Sequence, residues 1–93
     1  VSKKILEKLV DYLKANGAVR ILLFGSQATG KAKPKSDVDI IVRFKQPIGL
    51  FKLVHIEMEV SKKIGKKVDL QTEGSISPYI SERVYREAKV LLG

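Results

Sequence analysis

The sequence contains no cysteine, no tryptophan and a single histidine, His55, which excludes disulfides, thiolate nucleophiles and zinc cages built from those residues. Any metal must be held by oxygen, and oxygen donors select hard cations such as magnesium or manganese. Proline is scarce, three in 93 residues, and no apolar run approaches the roughly 18 residues that span a bilayer. The first residues also lack the long apolar stretch of a secretion signal, which predicts a cytoplasmic protein with no membrane partner. Acidic residues are in the minority. Ten Asp and Glu against 18 Lys and Arg leave a net charge of +8, which suits a polyanionic partner. What is present is enough apolar side chain, 44% of the sequence, to build one core over residues 1–93, and too little chain for two.

Periodicity orders the elements. Ile5, Leu6, Leu9, Val10 and Leu13 form a helical stripe behind a possible N-cap at Ser2, and Gly17 closes it. AVRILLF, residues 18–24, reads as a strand covered on both faces and stops at Gly25. Residues 37–44 alternate Asp37, Asp39, Ile41 and Arg43 with Val38, Ile40, Val42 and Phe44, a strand with one wholly apolar face. Residues 48–64 read as a second long helix ended by Gly65, residues 66–71 as a third strand, and residues 79–92 as a helix behind Ser77 and Pro78. The order α, β, short loop or helix, β, α, β, α predicts an α/β (α+β) fold, a small mixed sheet backed by helices. Tyr79 and Tyr85 read as packing residues of the last helix, with self-modification of one of them as the alternative, and His55 as structural.

Chemistry concentrates between residues 24 and 39. Gly25, Gly30 and Lys31 satisfy the spacing of a Walker phosphate loop, but Ala32 has no hydroxyl for magnesium and Pro34 interrupts the helix such a lysine must open. The other reading starts from Asp37 and Asp39, two apart on a strand, so that they leave one face with backbones about 6–7 Å apart. Flexible carboxylates at that spacing can converge on a pair of divalent ions, the arrangement that clamps the attacking and leaving oxygens of a phosphoryl displacement. Asp69, opposite Val68 and Leu70 in the alternation of its own strand, completes the set if that strand lies beside residues 37–44. Gly25 and Ser26 end the first strand where backbone N–H groups can approach phosphate oxygens.

Gly-Ser, a ten-residue spacer, Asp-x-Asp on a strand and a later strand-borne aspartate resemble the DNA polymerase β-type nucleotidyltransferase superfamily. More narrowly, the short chain and its ending REAKVLL look like the minimal nucleotidyltransferases, the MNT antitoxins paired with HEPN-domain toxins. That resemblance implies attack on the α-phosphate of a nucleoside triphosphate, with ATP the expected donor and AMP the transferred group. It implies that Gly25 and Ser26 hold the triphosphate, that Asp37 and Asp39 bind two Mg2+ ions, with Mn2+ an alternative, and that Asp69 helps bind the catalytic metal and accepts the acceptor's proton. The expected acceptor is a tyrosine of a HEPN-type toxin. Members often carry arginine where Thr29 stands, and Lys31, Lys33 or Lys35 is the candidate substitute for that cation.

So short a chain leaves no room for the further domain that usually completes the site, so a partner protein or a homodimer is expected to supply the missing surface. A non-catalytic antitoxin that neutralises its partner by contact alone is the alternative. A nucleic-acid binder ranks last, because the six aromatics are scattered rather than gathered on one sheet face.

Overall fold

The computed structural model describes residues 2–30 and 37–93. Helix α1 (Lys3–Ala15) starts where the Ser2 hydroxyl accepts a hydrogen bond from the Ile5 N–H, and leads into strand β1 (Ala18–Phe24). A single turn, α2 (Ser26–Thr29), follows; β2 (Val38–Phe44) and helix α3 (Leu50–Ile64) come next, and Gly65 ends α3 in the left-handed conformation at φ 71°. Strand β3 (Val68–Thr72), a short turn, helix α4 (Pro78–Glu87) and strand β4 (Lys89–Leu92) complete the described chain.

The four strands lie in the order β3-β2-β1-β4. The β1–β2 and β1–β4 pairs are antiparallel, whereas β2 and β3 run parallel, with α3 as the crossover such a connection demands. Alternation sends Ile21, Leu23, Val38, Ile40, Val42, Val68 and Leu70 to one face, where they meet Leu9 and Leu13 of α1 and Ile56, Val60 and Ile64 of α3 in a single core. The opposite face carries Asp39 and Asp69 at one end, the buried register partners Leu22 and Ile41 in the middle, and Arg20 with Arg43 at the other end.

Helix α4 lies over that second face. Its Tyr85 hydroxyl donates to Glu73 Oε2 at 3.2 Å, and the Arg20 guanidinium stands 5.8 Å from the Tyr85 ring centre. Arg20 Nε is 3.4 Å from Glu73 Oε1, which balances the cation beside Arg43. The middle of the sheet is therefore covered on both sides, as the mostly continuous apolar run of β1 predicts.

The expected helix over residues 79–92 is two elements. At Ala88 the backbone turns extended (φ −72°, ψ 149°), its N–H still bonded to the Val84 carbonyl, and the remaining residues become β4. The physical reason is the edge of β1: Val90 and Lys89 pair with Leu22 and Leu23, so ladder hydrogen bonds win over another helical turn. Tyr79 does not pack, being 97% exposed, and His55 also faces solvent. Only part of the apolar stripe expected on α3 is core. Phe51 is 91% exposed, and Leu50 and Met58 are exposed as well.

Candidate active site

The β2–β3 register sets the acidic end of the sheet. Asp39 and Asp69 are direct partners across the parallel pair, so both side chains leave the same face of neighbouring strands. Asp37 lies just before β2, one alternation step away on the same side, and is exposed. Its contact with Lys67 Nζ is long, 4.0 Å, with both side chains at least half exposed. Such a pair holds little, and Asp37 remains available to other cations.

Asp39 senses the two carboxylates beside it. Partial burial raises the Asp39 carboxyl above the ordinary aspartate value, and the charges of Asp69 and then Asp37 push it further in the same direction. Like charges gathered at one edge favour either a proton or a cation. The donors are all carboxylate oxygens, the chemistry that magnesium or manganese takes and that zinc and copper sites seldom rely on alone. As the side chains stand, no three acidic or imidazole groups among the described residues are closed around one point. The residues fit a hard divalent ion by donor type, charge and placement, with side-chain rotation needed to close on it.

Gly25 sits against this edge. Its φ is 72°, and a Cβ at that position would fall 2.5 Å from Asp39 Oδ2, so the bend requires glycine for its conformation and for the space. The Gly25 carbonyl accepts from the Ala28 and Thr29 N–H groups, at 3.1 and 3.2 Å, and from the Thr29 hydroxyl at 3.3 Å, which winds residues 26–29 into α2. The structure thus brings Gly25, Asp37, Asp39 and Asp69 to one end of the sheet, with the backbone of Ser26 opening α2. Lys31, Lys33 and Lys35 lie outside the described residues.

Two residues that the sequence did not single out hold Asp69 in register. β3 is an edge strand whose outward N–H groups at Val68 and Leu70 need partners. Ser61 Oγ of α3 accepts from the Val68 N–H at 3.0 Å, and Glu57 Oε2 accepts from the Leu70 N–H at 2.8 Å. Ser61 Oγ in turn donates to the Glu57 carbonyl at 2.7 Å. These bonds flank Asp69 on both sides. The only sequence signal was a polar i, i+4 pair on an otherwise apolar helix face.

Between the Gly25 bend and α4 lies a cavity of about 250 Å³, lined by Phe24, Gly25, Arg83, Val84 and Glu87. Phe24 is the register partner of Asp39, so the cavity adjoins the acidic edge.

Comparison with known proteins identifies the family. The family model described as the nucleotidyltransferase domain matches residues 3–91. A candidate protein adenylyltransferase of Methanocaldococcus jannaschii is 36% identical over 85 residues, covering 91% of each chain. The protein adenylyltransferase MntA of Thermococcus cleftensis is 38% identical over 71 residues, 76% of this chain and 72% of that one. Among solved structures, a toxin-antitoxin crystallised with AMP-PNP superposes with a TM-score of 0.85 at 26% identity, over 95% of this chain and 73% of that one.

Proposed function

The chain belongs to the nucleotidyltransferase domain family, and from that premise we propose that it transfers AMP from ATP to a tyrosine of a HEPN-type toxin and so acts as an antitoxin. The observation that carries this reading is the partnership of Asp39 with Asp69 at the edge where Gly25 backs onto Asp39. Protein adenylyltransferases among the relatives support a protein acceptor, and the toxin-antitoxin bound to AMP-PNP supports both the nucleotide and the class of partner.

In this reading Gly25 and Ser26 line the path of the triphosphate, with Lys35 as a further contact. Asp37, Asp39 and Asp69 would hold Mg2+, two ions in the arrangement we favour, which when bound offsets the triphosphate charge and stabilises the oxygens around the α-phosphorus. The acceptor oxygen forms a bond to the α-phosphorus as the bond from that phosphorus to the α–β bridging oxygen breaks, and pyrophosphate leaves. Asp69 is exposed to solvent and to an arriving partner, and its carboxylate takes the proton of the acceptor hydroxyl. Asp39 is more enclosed, its carboxyl raised by burial and by the charges of Asp69 and Asp37, and a bound cation would favour its ionised form.

The test is incubation of the chain with a HEPN-type toxin, magnesium, and ATP labelled at either the α- or the γ-phosphate. Label reaching the toxin from α-labelled ATP alone, and lost with Asp39→Asn, is the expected result. Neutralisation of the toxin that persists in Asp39→Asn with no label in either case would replace this reading with inhibition by contact.

A further inference from the structure

The cavity beside Gly25 has walls of distinct chemistry. Phe24 and Val84 make it partly apolar, Gly25 contributes bare backbone, and among the described residues Arg83 is the one cation lining it. Arg83 is paired with Glu87 one turn later on α4, Nε to Oε1 at 3.6 Å, with the two side chains 82% and 45% exposed. A pair that long and that open contributes little to stability. Its effect is to keep the guanidinium beside the cavity without committing it. The helix itself is well anchored: Ser77 Oγ caps it at Tyr79, Tyr85 is bonded to Glu73, and β4 pairs with β1 immediately beyond its end. By contrast α2, on the other side of Gly25, consists of Ser26, Gln27, Ala28 and Thr29 and brings no cation.

Resting on the nucleotidyl-transfer reading above, we propose that Arg83 is a substrate-binding residue that contacts the triphosphate along Gly25. On nucleotide binding the guanidinium exchanges the Glu87 carboxylate for phosphate oxygens, for which its planar fork is the better match. Helix α4 thereby supplies a positive charge that α2 lacks.

The test is calorimetric titration of the full chain, with magnesium present, by AMP-PNP and separately by AMP, using wild type, Arg83→Ala and Arg83→Lys. Arg83→Ala is expected to bind AMP-PNP about tenfold or more weakly, the loss of a charge-assisted contact, and AMP less than about threefold more weakly. Arg83→Lys recovers part of the loss. In the transfer assay the KM for ATP rises more than kcat falls. Because Arg83 is exposed, the thermal midpoint of Arg83→Ala should match wild type. Unchanged AMP-PNP binding by Arg83→Ala, or equal weakening of AMP and AMP-PNP, overturns the assignment while wild-type binding and transfer leave the function standing. Failure of wild type to bind AMP-PNP overturns both.

Discussion

Asp39 Oδ2 occupies the space where residue 25 would carry a side chain: a Cβ on Gly25 would lie 2.5 Å from it. One glycine therefore serves two ends, turning the chain after β1 and leaving room for the carboxylate proposed to face the nucleotide. Gly30 offers the control, because it has a similar φ of 77° and no atom of the described residues within 4 Å of its Cβ position.

Gly25→Ala and Gly30→Ala should each lose about 1–2 kcal/mol in urea denaturation from the left-handed backbone alone. Only Gly25→Ala displaces Asp39. Its AMP transfer should fall by about 100-fold, the scale of a misplaced reacting group, while Gly30→Ala stays within a few-fold of wild type. Equal activities in the two variants would dissociate the bend from the chemistry.

Asp39 also carries a pH signature. Its folded carboxyl is raised above the ordinary value by burial, Asp69 and Asp37, so the folded state holds the proton more tightly than the unfolded chain. The stability this provides is present below the ordinary aspartate range and is lost as pH rises through the raised folded value. Asp39→Asn removes that loss. Without divalent ions the variant should melt about 1–4 °C above wild type at pH 7, a modest gain because the site is partly solvated, with the gap closing in acid. A variant that melts below wild type at pH 7 would mean that the carboxylate stabilises the fold rather than the site.

The bonds from α3 to the edge of β3 give a third expectation. Glu57→Ala leaves the Leu70 N–H without its partner and should destabilise the fold by about 1–2 kcal/mol; Ser61→Ala should do the same at Val68. Both should lower transfer by loosening Asp69, with kcat reduced more than KM is raised. Amide exchange at Val68 and Leu70 checks the cause: both should exchange faster in the corresponding variant.

The strands that carry the aspartates were legible because alternation at Val38, Ile40 and Val42, and at Val68 and Leu70, leaves Asp39 and Asp69 no choice of face. Their pairing was not, since register depends on β3 lying parallel to β2 after a helical crossover. Residues 88–92 continue the helical spacing of α4 and become a strand only because β1 presents an edge to Val90. The parts played by Glu57, Ser61 and Arg83 were invisible for the same reason: each acts on an element distant in sequence, and nothing local marks which helix will lie against which strand.

The central claim is that Asp37, Asp39 and Asp69 share a divalent cation in front of the Gly25 bend. The most direct measurement is calorimetric titration of Mn2+ into the chain in the presence of AMP-PNP, with wild type beside Asp39→Asn and Asp69→Asn, each first confirmed folded by circular dichroism. The account predicts saturable Mn2+ binding to wild type that is abolished by Asp39→Asn and weakened at least about tenfold by Asp69→Asn. Mn2+ binding of equal strength in all three proteins would contradict it.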